Sequence, residues 1–249
     1  MKVAYAEYLK QQYDPDKPLN QAIFADFRKL FQDADFTLGW PVRRFEEAVQ
    51  QKFRVKHAIG VSNGTDALAL SLVAMGFDNK REWVAVPANT FIATAGAVLQ
   101  AGANVRFMDV GADYQIDPVQ ANAAPARCMI GVDLTGNIPE IYSYPGKRFI
   151  SDAAQAMGAE MNGFSVAGIG DVTCFSLHPL KNLNVAGDGG LVTTNNDEIA
   201  AQVRLLRNHG LQDRDTVVAP GFNHRLSSMQ AIVAYHQLTW PEQGFDWLT

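Results

Sequence analysis

The strongest constraint on the fold is a regular alternation of short apolar segments with longer helical segments. The segments "TDALALSLVAM" and "ATAGAVLQA" have helical character, and each follows a short run typical of a buried strand. The predicted strands are "AIGVS", "WVAVPA", "NVRFMDV", "CMIGVDL", "RFISDA", "TCFSL" and "GLVTT". Short apolar strands separated by helices indicate an α/β fold, with a largely parallel sheet covered by helices on both faces.

The N-terminal part of the chain is predicted to be helical. Apolar residues between Leu19 and Phe31 recur at the spacing of one helical face, and Phe45, Val49 and Phe53 follow four residues apart. We therefore predict an N-terminal helical segment at residues 1–35 and one large ligand-binding domain at 36–249.

Composition argues against several classes of partner. A net charge of −5 gives no reason to expect nucleic acid or an anionic membrane surface. The N-terminus lacks an apolar signal core, and "ALALSLVAMGF" is too short to span a bilayer. Cys128 and Cys174 lie apart in apolar segments, which predicts buried free thiols, a reducing cytosol and a cytoplasmic protein. No metal site is predicted.

In parallel sheets, ligands bind beyond the carboxyl ends of the strands, so residues at strand ends are candidates for function. The first such segment is "VSNGTDAL", where a turn leads into a helix at Gly64 and Thr65. Free N–H groups at a helix start, with the Thr65 hydroxyl, form an anion site suited to phosphate. The alternative is an ordinary helix cap made by Thr65 or Asp66.

The second segment is "ISDAAQAMGA", in which Asp152 ends an apolar strand and Gln155 follows. A half-buried carboxylate requires a cation or an N–H donor as its partner. The alternative is that Asp152 is a helix N-cap.

The third segment is "FSLHPLKNLNVAGDGG", where Ser176 and His178 precede Lys181, the only lysine after Lys147. A lysine in apolar surroundings has a lowered pKa, and its neutral amine reacts with aldehydes to form a Schiff base. The alternative is a solvated surface lysine. His178 has no role that the sequence supports.

The three segments together predict one ligand with a phosphate, an aldehyde and a protonatable group that pairs with Asp152. Pyridoxal 5′-phosphate carries all three, and its protonated ring withdraws electrons from reacting bonds.

At this point the chain resembles the DegT/DnrJ/EryC1/StrS family of pyridoxal-phosphate sugar aminotransferases. The matching segments cover roughly Leu19 to Leu238 in the family's order. They are "FEEAV", "VSNGTDALALSL", "VPANTFIATAGAVLQAGANVRFMDV", "SDAAQAMGA", "FSLHPLKNL", "GDGGLVTTN", "RLLRNHG" and "GFNHRLSSMQAIV". The resemblance implies the large domain of a fold-type I transferase, with a mixed, mostly parallel seven-stranded sheet.

The resemblance also implies roles for individual residues. Lys181 would form the Schiff base and carry a proton between cofactor and substrate carbons. Asp152 would pair with the ring nitrogen, and Gln155 would contact the 3-hydroxyl group. The residues implied to bind the phosphate are Gly64, Thr65 and Ser176.

Two further cofactor contacts follow from the resemblance. Phe91 would stack on the ring, although without the family context it reads as a core aromatic. Asn223 resembles an asparagine that reaches the phosphate of a neighbouring subunit, which implies a homodimer with shared active sites. Otherwise Asn223 is a turn residue. Asn208, His209, Gly210 and Arg225 are expected near the substrate.

The implied reaction moves an amino group from an amino acid, usually glutamate, to a keto-sugar that is often nucleotide-linked. Relatives that act as dehydratases carry histidine in place of the lysine, so Lys181 favours transamination. Members of the family usually continue into a small C-terminal domain, whereas this chain ends at Thr249 after Pro241 and Gly244. We expect that domain to be missing here.

Two other functions are retained as alternatives. The chain is a non-catalytic remnant that binds the cofactor or pairs with a full-length paralogue, or it is a nicotinamide-binding Rossmann domain. The second rests only on "GIG" at Gly168 to Gly170, which lacks the full glycine motif.

Overall fold

A computed structural model describes residues 9–138 and 146–240. The α-helices that lie wholly within these ranges are α1 (Pro18–Asp33), α2 (Trp40–Phe53), α3 (Gly64–Ala74), α4 (Ile92–Ala101), α5 (Pro118–Ala123), α6 (Asp197–Leu206) and α7 (Ser228–Thr239). The strands are β1 (His57–Val61), β2 (Trp83–Pro87), β3 (Asn104–Met108), β4 (Cys128–Val132), β5 (Arg148–Asp152), β6 (Glu160–Met161), β7 (Phe164–Ser165), β8 (Val172–Ser176) and β9 (Gly190–Thr194).

Seven strands form one sheet in the order β1-β9-β8-β5-β4-β2-β3. Strand β9 is antiparallel to both of its neighbours, whereas β8, β5, β4, β2 and β3 are mutually parallel. The predicted α/β fold with a mixed, mostly parallel seven-stranded sheet is therefore confirmed. Each predicted strand is present, with ends that differ from the prediction by at most two residues.

Helices cover both faces of the sheet, because alternate strand residues point to opposite sides. Along β4, Met129 belongs to one buried cluster, whereas Cys128 and Ile130 belong to the other. The first cluster also contains residues of α1, α2 and α7, and the second contains residues of α3, α4 and α6. Leu19 of α1 shares the first cluster with the large domain; the predicted division at residue 35 stays a prediction.

Local signals in the sequence set several helix ends. Helix α1 begins at Pro18, whose fixed φ suits a first helical turn, and it is followed by Ala34 in the left-handed conformation. The side chains of Asn196 and Ser227 accept hydrogen bonds from the first turns of α6 and α7. The predicted interruption at Pro241 lies outside the described residues.

A buried ion pair joins helix α2 and the end of helix α6 to strand β1. Arg207, directly after α6, lies with its Nη1 2.6 Å from Oε1 of Glu46 on α2. Glu46 Oε1 accepts from the N–H of Gly60 at 2.8 Å, and Arg207 Nη1 donates to the Gly60 carbonyl at 2.7 Å. The pair therefore fixes α2 and the end of α6 to the middle of β1.

The short β6–β7 hairpin, which was not predicted, precedes a 3-10 helix at Val166–Gly168. The "GIG" segment thus follows a 3-10 helix and leads into β8, rather than leading from a strand into an α-helix. The Rossmann alternative is wrong. Within the described ranges, no helix has the length and hydrophobicity needed to cross a bilayer.

Candidate active site

A cavity of about 640 Å³ lies beyond the carboxyl ends of the parallel strands. Seven of the eight predicted site residues line it, namely Gly64, Thr65, Phe91, Asp152, Gln155, Ser176 and Lys181. Asn223 does not line it. All the residues that line the cavity come from six separate segments of the chain. Ligands of such sheets bind in the crevice at the carboxyl ends of the strands.

The start of α3 forms one wall of the cavity. The side chain of Asn63 caps the helix, since its Oδ1 accepts from the N–H of Asp66 at 2.8 Å. The prediction that Thr65 or Asp66 is the cap was wrong, because Asn63, which has an extended backbone, is the last non-helical residue and the helix begins at Gly64. As the first two helical residues, Gly64 and Thr65 have no intrahelical acceptor for their N–H groups.

Glycine at position 64 allows α3 to approach the end of β8. A Cβ atom on Gly64 would come within 2.8 Å of the Cβ of Ser176. The two N–H groups of the helix start and the Ser176 side chain therefore lie on one small part of the wall. This arrangement suits a phosphate group, which helix N-termini bind through N–H groups and the helix dipole.

Lys181 lines the same cavity. Its Nζ donates to Oε1 of Gln155 at 3.0 Å. Burial lowers the pKa of Lys181, an effect that the negative charge of Asp152 opposes. A larger share of the side chain is thus the neutral amine than in a fully solvated lysine. Lys181 is of intermediate exposure and lines the cavity, so its side chain is only partly solvated.

Asp152 ends β5 and is only 6% exposed. Its Oδ2 accepts from the hydroxyl of Thr94 at 2.7 Å, and its Oδ1 accepts from the N–H of Ala154 at 3.3 Å. Burial raises the pKa of Asp152, whereas these two hydrogen bonds and the nearby Lys181 oppose the rise. Residues 153–158 form turns, so the alternative of a helix N-cap is wrong.

Phe91 is 70% exposed at the mouth of the cavity, directly before α4. An exposed aromatic ring on a cavity wall offers a flat apolar surface to a ligand. Phe91 is therefore not the core aromatic that the sequence offered as an alternative.

Asn223 lies in an exposed segment outside the cavity. It forms an isolated antiparallel bridge with Asn208, and Oδ1 of Asn208 accepts from Arg225 Nη1 at 2.9 Å. The N–H of Ser62, at the end of β1, donates to the carbonyl of His224 at 3.0 Å. The segment that carries Asn223 is therefore joined to the end of β1, close to the start of α3.

Two functional candidates were missed at the sequence level. Thr94 holds Asp152, and Asp133 lines the cavity beside it. Asp133 was included in the predicted strand "CMIGVDL", although β4 ends at Val132. If Asp133 had been taken as the residue that follows the strand, it would have been a candidate site residue.

The residues present fit pyridoxal phosphate. The cavity combines a helix start suited to phosphate, an amine at Lys181, a buried carboxyl at Asp152 and an apolar ring at Phe91. Among residues 9–138 and 146–240, no group of three or more His, Cys, Asp or Glu side chains is placed to bind a metal ion.

Comparison with known proteins agrees with this chemistry. The model of the DegT/DnrJ/EryC1/StrS aminotransferase family matches residues 18–243. A UDP-N-acetyl-3-dehydro-alpha-D-glucosamine 3-aminotransferase of Acidithiobacillus ferrooxidans is 41% identical over 226 residues, which are 87% of this chain and 61% of the relative.

Two solved structures are similar in fold and sequence. The Streptomyces venezuelae protein DesV, solved in complex with a ketimine intermediate, matches with a TM-score of 0.84 and 31% identity, over 93% of this chain and 63% of that one. A Bacillus subtilis protein, NtdA, solved with bound cofactor PMP, matches with a TM-score of 0.79 and 27% identity, over 88% of this chain and 52% of that one.

The chain thus spans less than two thirds of the length of these relatives. The family match nevertheless extends over most of the chain and includes every residue that lines the cavity. This chain belongs to the DegT/DnrJ/EryC1/StrS aminotransferase family.

Proposed function

We propose that the chain is a pyridoxal-phosphate-dependent aminotransferase that moves an amino group from an amino acid to a keto-sugar. The observation that carries the proposal is the meeting of Lys181, Asp152 and the start of α3 in one cavity. An amine, a buried acid and a phosphate-binding helix start are the groups that this cofactor needs.

The cofactor, when bound, supplies an aldehyde that condenses with amines and a protonated ring that accepts electrons. The N–H groups of Gly64 and Thr65, with the Ser176 hydroxyl, would hold its phosphate. Asp152 would face the ring nitrogen, and a cation at that place would favour the charged form of this buried carboxyl. Phe91 would cover one face of the ring.

Lys181 is the residue with a direct part in the chemistry. Its Nζ would hold the cofactor at rest and carry a proton between carbon atoms during transfer. Both tasks require the neutral amine, and the burial that lowers the Lys181 pKa favours this form. Gln155, which accepts from Nζ, would orient the amine toward the 3-hydroxyl side of the ring.

The substrates are assigned from the relatives. The Acidithiobacillus relative is named for a UDP-linked dehydro sugar, and other relatives are named as transaminases of UDP- and dTDP-linked sugars. We therefore propose a nucleotide-linked keto-sugar as the acceptor, in amino-sugar biosynthesis. Glutamate is the donor implied by the family resemblance.

The proposed assembly is a homodimer with shared active sites. Asn223 is exposed outside its own cavity, which is consistent with a contact to the phosphate site of a second subunit. The buried free cysteines Cys128 and Cys174 are consistent with a reducing cytosol.

The second candidate function is a non-catalytic remnant that binds the cofactor or pairs with a full-length paralogue. Catalysis and cofactor binding therefore need separate measurements.

The test combines covalent labelling with a half-reaction. Purified protein is loaded with pyridoxal phosphate, reduced with borohydride and digested, and the labelled peptide is identified by mass spectrometry. Label on Lys181, together with a glutamate-dependent loss of the visible absorbance band in unreduced protein, is expected of the aminotransferase.

Lys181→Ala should lose both signals, whereas Lys56→Ala should keep them because Lys56 is an exposed residue paired with Asp197. Label on Lys181 without any response to glutamate would support the remnant. Label spread over surface lysines in place of Lys181 would overturn both candidates.

A further inference from the structure

Two threonine hydroxyls at the start of α4 form a chain that ends on Asp152. Thr94 Oγ1 donates to Asp152 Oδ2 at 2.7 Å, and Thr90 Oγ1 lies 2.8 Å from Thr94 Oγ1. Thr94 is fully buried, Thr90 is partly exposed, and both residues line the cavity. The proposed function gives neither threonine a role.

The hydroxyl of Thr94 serves the cavity rather than its own helix. A threonine in a helix commonly donates to a backbone carbonyl one turn earlier. Thr94 lies in the first turn of α4, yet its hydroxyl donates to a carboxyl 58 positions away. Such a contact does not complete a hydrogen bond of helix α4, so it points to a task at Asp152.

The direction of the chain depends on the charge of Asp152. Each hydroxyl carries one proton, and a charged carboxyl only accepts hydrogen bonds. When Asp152 is charged, the proton of Thr94 is committed to Oδ2, so Thr90 has to be the donor to Thr94. A proton on Oδ2 would let the chain run the other way. Both hydroxyl protons therefore point toward Asp152 only in its charged form.

The chain favours this charged form. Burial raises the pKa of Asp152, and the hydrogen bond from Thr94, the N–H of Ala154 and the charge of Lys181 oppose the rise, with Thr94 the strongest of the three. A donor stabilises a carboxylate more than it stabilises the neutral acid. A second hydroxyl that donates to the first makes the first a stronger donor.

We propose that Thr94 and Thr90 are positioning residues of the cofactor site, whose hydroxyls keep the Asp152 carboxyl charged and oriented toward the ring nitrogen of bound pyridoxal phosphate. The proposal rests on the proposed function, because it assumes that this cofactor occupies the cavity. A charged Asp152 holds a proton on the ring nitrogen. The ability of the ring to accept electrons depends on that proton.

The test is the preference of the cofactor-free protein for pyridoxal phosphate over the analogue in which a C–H group replaces the ring nitrogen. Both dissociation constants are measured by fluorescence quenching, and their ratio cancels the contacts that the two ligands share. Thr94→Val removes the hydroxyl and keeps the shape of the side chain. The preference should fall about tenfold, as expected for one hydrogen bond to a charged group. Thr94→Ser keeps the hydroxyl and should retain most of the preference.

A second measurement follows the ring nitrogen directly. The nitrogen NMR signal of isotope-labelled cofactor, recorded in the loaded protein as a function of pH, gives the protonated fraction. In Thr94→Val the ring nitrogen should lose its proton at a lower pH than in the wild type, because a less charged acid holds that proton less firmly. Lys181, Asp133 and Cys174 also interact with this carboxyl, and they are the same in every protein compared.

Two further variants separate the hydroxyl chain from general effects of burial. Thr193 is also fully buried, but its hydroxyl donates to the Ala167 carbonyl at 2.6 Å, and the residue does not line the cavity. Thr193→Val should therefore lower stability without changing the preference. Thr90→Val leaves the Thr94 hydroxyl in place and should lower the preference by about twofold.

The outcomes separate this proposal from the proposed function. If wild type prefers pyridoxal phosphate, an unchanged preference in Thr94→Val, or an equal loss in Thr94→Ser, overturns the proposal and leaves the proposed function standing. Equal binding of the two compounds by wild type has the same consequence. If wild type binds neither compound, both are overturned. Should Thr94→Val fail to fold, an unchanged preference in Thr90→Val would overturn the proposal.

Discussion

Removal of the Glu46 side chain should destabilise the protein strongly, because it leaves Arg207 buried without its partner. The side chains of Arg207 and Glu46 are 8% and 10% exposed, and Nη1 and Oε1 lie 2.6 Å apart. Loss of one partner of a buried ion pair costs about 3 to 5 kcal/mol of unfolding free energy. The Gly60 N–H also loses its acceptor, so the upper half of this range is expected for Glu46→Ala.

This loss is a large part of the total stability of a protein, which is about 5 to 15 kcal/mol. For a chain of this size, each kcal/mol lowers the midpoint of thermal unfolding by about 2 to 4 °C. A loss of about 4 kcal/mol therefore corresponds to a shift of about 8 to 16 °C. Urea unfolding followed by circular dichroism gives the free energy, and a thermal scan gives the midpoint.

Two variants show whether the ion pair is the cause. Glu46→Gln keeps an acceptor for the Gly60 N–H and should lose less stability than Glu46→Ala. Glu47→Ala changes the exposed neighbouring residue and should stay within about 0.5 kcal/mol of the wild type. The double variant Glu46→Ala/Arg207→Ala should lose clearly less than the two single losses combined, since neither charge is then left alone. A loss below about 1 kcal/mol for Glu46→Ala, or strict additivity, would refute the reasoning.

Three glycines allow further predictions on stability, each measured by urea unfolding. Gly96 lies within α4, and a Cβ there meets no atom within 4 Å, so Gly96→Ala should stabilise the protein by about 1 kcal/mol through its helix propensity. A loss of stability would contradict this. Gly76 and Gly210 both have positive φ, +82° and +70°, but a Cβ on Gly210 would lie 1.8 Å from the carbonyl oxygen of Ala219, whereas one on Gly76 meets nothing within 4 Å. Gly76→Ala should therefore cost only the backbone strain, about 1 to 2 kcal/mol, and Gly210→Ala considerably more. Equal losses of stability in the two variants would show that the close approach of residues 210 and 219 does not add to the loss in Gly210→Ala.

The elements of the fold were predictable because they depend on local pattern. A buried strand needs a short apolar run, and a helix needs a period near 3.6, so each strand of the main sheet was identified. The cap of α3 was misjudged by two or three positions, because Asn63, Thr65 and Asp66 are all good cap residues and only the backbone conformation selects among them. The antiparallel direction of β9 was not predictable, since no local pattern records which way a strand enters the sheet.

The candidate site was likewise predictable only in part from the sequence. Gly64, Asp152 and Lys181 were found because they stand at strand ends or in glycine-rich turns, where a polar group has a reason to be. Their meeting in one cavity, and the lowered pKa of Lys181, depend on segments far apart in the chain.

The sequence by itself determined the strands, the helices and the chemical types of the candidate site residues, because these follow from interactions between near neighbours. Only the tertiary structure decided that Thr94 holds Asp152 from 58 positions away and that Arg207 meets Glu46 from 161 positions away. It likewise decided that Asp133 is buried beside Asp152. Burial and pairing of this kind arise when distant segments exclude water together, and no single stretch of sequence contains that information.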